Sequence, residues 1–161
     1  MAIIVGIIVK KYISPKVTIV EAKQEITQEK IIEAPNWKIE IPAISLIADI
    51  SEGTDDETLT KFVGHFELTP TTEGNVCLAA HNRGYSVNYF EKLKDLKGGE
   101  EIIYTNGDFS KTYIVTMNIK ISETDWSYLE NSNQNKITLI TCIENEPEYR
   151  RCVQAIEKEE N

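Results

Sequence analysis

Three residue types that together support acyl transfer stand at the ends of predicted strands. Cys142 closes the β-branched run "ITLIT" and precedes the loop "IENEPEY"; Arg150 and Arg151 open the returning run "RRCVQA"; His81 ends the apolar stretch "VCLAA" and precedes "NRGY". A strand end holds a side chain rigidly while the adjoining loop leaves it reachable. A thiol becomes a good nucleophile beside a cation or a histidine, and an acyl-transfer transition state needs donors where the oxyanion forms. Cysteine, histidine and arginine would supply nucleophile, proton carrier and oxyanion partner. Taken singly, each has a plainer reading: a strand-end cysteine is a small buried hydrophobe, and a strand-end histidine is a structural one. The two arginines lie on opposite faces of their strand, so only one can serve. One face carries Cys152 and Gln154 and the other Val153 and Ala155, which leaves the choice open.

The remaining candidates take a structural reading. His65, in "KFVGHFELT", is flanked by apolar residues and reads as packing. Cys77 lies in mid-strand and reads as core; Cys152, two residues after Arg150, reads as a bystander near the site. Three cysteines make an odd count without CxxC or metal-ligand spacing, so neither a disulfide framework nor a zinc site is indicated. With 17 basic and 26 acidic residues the formal charge is −9. That balance argues against nucleic acid as a partner, which would require clustered Lys and Arg.

The 161 residues suffice for one domain of ordinary core size. Residues 1–12 contain the apolar run "MAIIVGIIV" and then Lys10-Lys11. The run is shorter than the roughly 20 residues that cross a bilayer and lacks the layout of a cleaved signal, so it reads as part of a membrane anchor, with an interior strand or helix as the alternative. Residues 13–36 are mostly polar and read as a tether. From residue 37 to about 158 short strands dominate. "WKIEIPAI" alternates apolar and polar up to Pro42, "GNVCLAAHN" is an apolar run of strand length, and "EEIIYTNGDFSKTYIVTMNIKI" predicts a hairpin turning at Asn106-Gly107. Leu59, Phe62, Val63 and Phe66 recur at helical spacing and predict a short helix, and "NYFEKLKDLKGGE" predicts a helical turn or two stopped by Gly98-Gly99. The fold class is therefore mainly β: a small barrel or sandwich of seven or eight strands with two or three short helices. The polar loop from Ser122 to Asn135, carrying Trp126, Tyr128 and Leu129, is long enough to suggest a functional role.

In this order and with these flanks, "GNVCLAAHNRG", "TLITC" and "YRRCVQA" resemble the motifs of the sortase family of Gram-positive cell-surface transpeptidases, over about Trp37 to Ile156. The resemblance implies a closed β-barrel of about eight strands. It implies Cys142 as nucleophile, His81 as general acid/base and, counting back from the small residue Ala155, Arg150 as substrate clamp and oxyanion partner. It further implies that Thr141 positions substrate and that Trp126, with Tyr128 and Leu129, lines a sorting-signal groove; Arg83, following the histidine, is a further candidate there. No cofactor is expected. Some relatives bind calcium near this loop, and Glu123, Asp125 and Glu130 could offer oxygens. The implied partners are secreted proteins bearing a C-terminal Leu-Pro-x-Thr-Gly-like signal and an amine of the cell wall or a pilin lysine, with the enzyme held at the extracellular face of the membrane by its N-terminal segment. Before Trp37 no Asp-Pro-aromatic motif of the kind carried by pilin-polymerising relatives occurs, which favours cell-wall anchoring. The competing readings are a cysteine peptidase and a non-catalytic peptide-binding β-domain.

Overall fold

The computed structural model describes residues 36–159. The expected anchor (1–12) and the tether (13–36), save Asn36, lie outside the described residues; within them no helix is long and apolar enough to cross a membrane. Eight strands follow in chain order: β1 (Trp37–Ile41), β2 (Leu46–Glu52), β3 (Val63–His65), β4 (Asn75–Ala79), β5 (Glu101–Asn106), β6 (Phe109–Ser122), β7 (Lys136–Ile143) and β8 (Glu146–Glu157). They close into a barrel in the order β1-β2-β3-β4-β7-β8-β6-β5. Closure removes the unpaired edges an open sheet would expose. The fold is thus mainly β and closed, with one short helix, α1 (Asp56–Leu59), and single 3-10 turns at Pro42–Ile44, Leu93–Asp95 and Trp126–Leu129.

Side-chain alternation sorts each strand into an inner and an outer face. Val76, Leu78 and Ala80 from the β4 segment, Ile137 and Leu139 from β7, and Val153 and Ala155 from β8 point into the buried core. Their alternates, Cys77 and Ala79, Thr138 and Ile140, and Cys152 and Gln154, face outward. The predicted hairpin forms: Asn106 pairs with Phe109 across a turn in which Gly107 adopts φ +61°, a conformation that costs glycine little. Trp37 Nε1 donates to the hydroxyl of buried Tyr104 at 2.7 Å, and that hydroxyl donates to Thr71 O at 2.7 Å, tying β1 and β5 to the loop before β4.

The helical spacing of Leu59, Phe62, Val63 and Phe66 proves misleading. Only Asp56–Leu59 is helical, capped by Asp55, whose carboxylate accepts from Thr58 N at 3.0 Å. Val63–His65 instead forms β3, parallel to β2 and antiparallel to β4. The barrel needs a strand there to bridge β2 and β4, and tertiary pairing overrides a short local periodicity. His65 has the structural role expected of it. It is 1% exposed, with Nδ1 2.8 Å from Glu52 Oε1 and Nε2 within 3.0 Å of Thr69 Oγ1 and 3.1 Å of Pro70 O.

Gly64 is what lets β3 fit. A Cβ there would lie 2.3 Å from Gly53 O and 2.7 Å from Leu59 Cδ2, and the first of these atoms is backbone held by the Gly53 N to His65 O bond. Gly64→Ala is therefore expected to lower unfolding free energy by about 1–3 kcal/mol, the usual cost of overpacking, measured by urea denaturation. An unchanged midpoint would mean that β3 does not pack so closely.

Candidate active site

The ladder that joins β4, β7 and β8 brings the three chemical groups together. β4 and β7 pair in parallel, with Cys77 opposite Thr138 and Ala79 opposite Ile140; extending that register by two residues sets His81 beside Cys142. β7 and β8 pair antiparallel, and Cys142 stands directly opposite Arg150 while Thr141 stands opposite Arg151. Because faces alternate, His81, Cys142 and Arg150 occupy the outer face, and Arg151 follows Val153 and Ala155 on the inner one. All three line one open groove of about 960 Å³, as do Thr141, Arg83 and Trp126. Its apolar walls include Leu59, Phe66, Ala79, Leu129 and Ile140.

Cys142 is exposed, whereas Cys77 and Cys152, on the same outer face, are fully buried. Burial pushes both of those thiols up to about 12. Asn82 Nδ2 donates to Cys142 O at 3.0 Å, fixing the backbone of Cys142 from the loop after β4. Thr141, 5% exposed, donates its hydroxyl to Ala80 O at 2.7 Å, so its side chain pins the strand end that carries His81.

The His81 ring lies flat on that of Tyr85, with centroids 3.4 Å apart and planes 3° from parallel. Its Nε2 is buried and has no hydrogen-bond partner among the described residues. Burial lowers the proton affinity of His81, opposed by the charge of Asp56 across the groove. Burial thus favours the neutral ring, which can accept a proton and give it up again. The tyrosine in "NRGY" carries no signal of this stack in the sequence, since stacking depends on how the loop folds back.

Arg150 is held from three sides. Nη1 donates to Pro147 O at 2.6 Å and Tyr149 O at 2.8 Å, and Nη2 donates to Glu123 Oε2 at 3.0 Å. Arg83 pairs with Glu144 and donates to Asn145 Oδ1 at 3.2 Å, bracing the β4 loop against the β7–β8 turn. Glu123 is thus committed to Arg150, and Asp125 accepts from Ser127 N and Oγ at the head of the Trp126–Leu129 turn. Among the described residues no three His, Cys, Asp or Glu side chains cluster as metal ligands.

A buried polar chain fastens the groove's outer wall to the strand bearing Cys142. Gln154 Nε2 donates to Thr138 Oγ1 at 3.0 Å, Thr138 Oγ1 donates to Asn75 Oδ1 at 2.7 Å, and Asn75 Nδ2 donates to Tyr128 O and Glu130 O, each at 2.9 Å. Trp126 projects from this wall, 64% exposed. Asn75 and Thr138 belong to the quoted motifs, but their task becomes visible only when the loop is seen lying over them. Asn75→Ala would strand a buried hydroxyl and two carbonyls, with an expected loss of about 2 kcal/mol, read by denaturant unfolding. An alkylating reagent at pH 8 should modify Cys142 alone in the folded chain; modification of Cys77 or Cys152 at a similar rate, by peptide mass mapping, would contradict their burial.

Comparison with known proteins bears on the family and the fold. The sortase domain family matches residues 39–158. The chain is 28% identical to sortase A of Bacillus anthracis over 119 residues, 73% of this chain, and spans 57% of the length of that protein. It is 42% identical to the sortase homologue YwpE of Bacillus subtilis strain 168 over 72 residues, 44% of this chain and 69% of that one. The solved structure of Listeria monocytogenes sortase A superposes with a TM-score of 0.72 at 25% identity, covering 79% of this chain and 89% of that one. With the family matched across the whole barrel and the fold shared, this chain belongs to the sortase family.

Proposed function

We propose that this protein is a cysteine transpeptidase that cleaves a Leu-Pro-x-Thr-Gly-like sorting signal between Thr and Gly and joins the acyl fragment to an amine of the cell wall. The observation that carries this reading is the convergence, at one rim of the barrel and in one groove, of exposed Cys142, partly buried His81 and the braced guanidinium of Arg150. The Cys142 thiolate attacks the threonine carbonyl. Arg150, held by Glu123 and two backbone carbonyls, presents its remaining N–H donors to the oxyanion. His81, having taken the proton of the Cys142 thiol, passes it to the departing glycine amine and leaves a thioacyl enzyme. An amine then attacks the thioester, gives a proton to His81 and releases Cys142.

Trp126 and the apolar walls offer the groove an anchor for the signal's apolar residues, with Arg83 and Thr141 at its catalytic end. We assign the enzyme to the outer face of a Gram-positive cell membrane, where secreted proteins bearing such signals meet the wall. The proposed chemistry uses only side chains of this chain.

The test is mass spectrometry of the full chain incubated with a Leu-Pro-x-Thr-Gly peptide, with and without an added amine. An adduct on Cys142 that the amine converts to ligated peptide is the expected result. Hydrolysed peptide alone, whatever the amine, would favour a cysteine peptidase; no adduct across a panel of signals would sink the catalytic reading. Cys142→Ala should abolish the adduct. Arg150→Lys, which keeps the charge but loses the planar fork, should slow its formation by about 10²–10³-fold.

A further inference from the structure

We infer that Tyr85 is a positioning residue for the proton carrier: the face of its ring fixes the plane of His81 beside Cys142 and shields one side of the imidazole from solvent. This rests on the transpeptidase reading above and adds to it a residue that acts through His81. The two rings lie 3.4 Å apart and within 3° of parallel, so nearly a whole face of the imidazole is covered. Tyr85 is itself 48% exposed, which means that the stack forms at the mouth of the site and not in the core.

An exposed tyrosine left to itself samples several rotamers, and ordering it costs entropy. The loop after β4 meets that cost with its own hydrogen bonds. Gly84, at φ +82°, turns the chain back so that Tyr85 returns over His81. Asn88 then clasps Tyr85 at both ends of its backbone: Oδ1 accepts from Tyr85 N at 3.3 Å, and Nδ2 donates to Tyr85 O at 3.0 Å. The clasp is anchored in turn. Ser86 Oγ donates to Thr60 O at 3.3 Å, Tyr89 donates its hydroxyl to Lys61 O at 3.1 Å, and Phe90 N donates to His81 O at 3.1 Å. The Tyr85 hydroxyl makes no hydrogen bond among the described residues, so what the loop presents to His81 is the ring face.

Two cavities meet at Cys142: the groove, and a smaller one of about 240 Å³ on the side of the Leu93–Asp95 turn, whose wall carries Glu91, Lys94 and Arg151. Asn82 and Arg83 line both, whereas His81 and Tyr85 line the groove alone. The groove's charged groups are Asp56 from α1, Arg83 from the Tyr85 loop, Glu123 and Asp125 after β6, Glu144 from the β7–β8 turn and Arg150 from β8. Among these, the charge of Asp56 bears on His81 and favours the imidazolium; burial outweighs it and favours the neutral ring. Removing an uncharged cover lets water reach the imidazolium, so His81 should then hold its proton more tightly. A ring free to turn would also lose the aim that proton transfer needs.

The full chain contains only two histidines. With isotope-labelled histidine both can be titrated by NMR, and His65, buried beside Glu52, serves as the internal reference. Tyr85→Ala should raise the pH at which His81 titrates and remove the tyrosine ring-current shift from its signals, leaving His65 unchanged. Thioacyl formation should slow about 10- to 100-fold, mainly in kcat and not in KM, and the acid limb of its pH profile should move to higher pH with the titration. Tyr85→Phe keeps the ring face and should restore both readouts, while Asn88→Ala, which frees the loop but leaves the ring, should reproduce part of the loss. Unchanged His81 titration and signals in Tyr85→Ala would overturn the inference, as would failure of Tyr85→Phe to restore them. A fall in proton affinity on removing the ring would also overturn it, since Tyr85 would then attract the cation and not shield the neutral form. If the wild-type chain forms no thioacyl enzyme, the transpeptidase reading falls, and the titration still decides whether Tyr85 governs His81.

Discussion

The arrangement depends on the in-register parallel pairing of β4 with β7. Antiparallel neighbours would send their C-terminal ends to opposite rims of the barrel. Parallel ones end together, so the histidine after β4 and the cysteine near the end of β7 emerge side by side. β8 runs antiparallel to β7 and begins at that same rim, which places Arg150 across from Cys142. A parallel pair requires a crossover, and here the chain supplies it with β5, β6 and the two segments that later flank the site. The connection that the topology demands is thus also the source of the groove wall and of the turn carrying Lys94.

Alternation along these strands lets one face serve two purposes. Beneath the Trp126–Leu129 turn the outer face is dry and bears Cys77 and Cys152; at its end it opens and bears Cys142. Burial keeps the first two thiols protonated, and exposure makes the third available, although all three share a face. The polar chain from Gln154 through Thr138 to Asn75 sets the boundary between these regimes. It satisfies loop carbonyls that would otherwise compete for solvent, and holds the wall at a fixed height above the strands.

Charges of both signs line the same rim. Arg83, Arg150, Arg151 and Lys94 lie within the two cavities that meet at Cys142, together with Asp56, Glu91, Glu123, Asp125 and Glu144. Glu144 and Glu123 hold two of these cations in fixed orientations. Arg150, fixed in this way opposite Cys142, is a preorganised donor at the rim rather than part of a broad positive patch.

Much of this was legible in the residues themselves. Strand alternation, the Asn106-Gly107 turn and the positions of Cys142 and His81 at strand ends are local properties, written in side-chain period and turn chemistry. The same local logic failed at Val63–His65, where a helix-like spacing yielded to the barrel's need for a strand between β2 and β4. The choice between Arg150 and Arg151 could be framed by parity but not made, because parity says that the two faces differ and not which face looks outward. The tertiary structure separates the two by register: the core residues Ile137, Leu139, Val153 and Ala155 fix the inward face, and Arg150 is left opposite Cys142. The stack of Tyr85 on His81, the clasp of Glu123 on Arg150 and the second cavity join segments distant in the chain or depend on how a loop turns back. Sequence determined which groups this protein has and on what kind of element each stands; only closure of the barrel determined which of them meet.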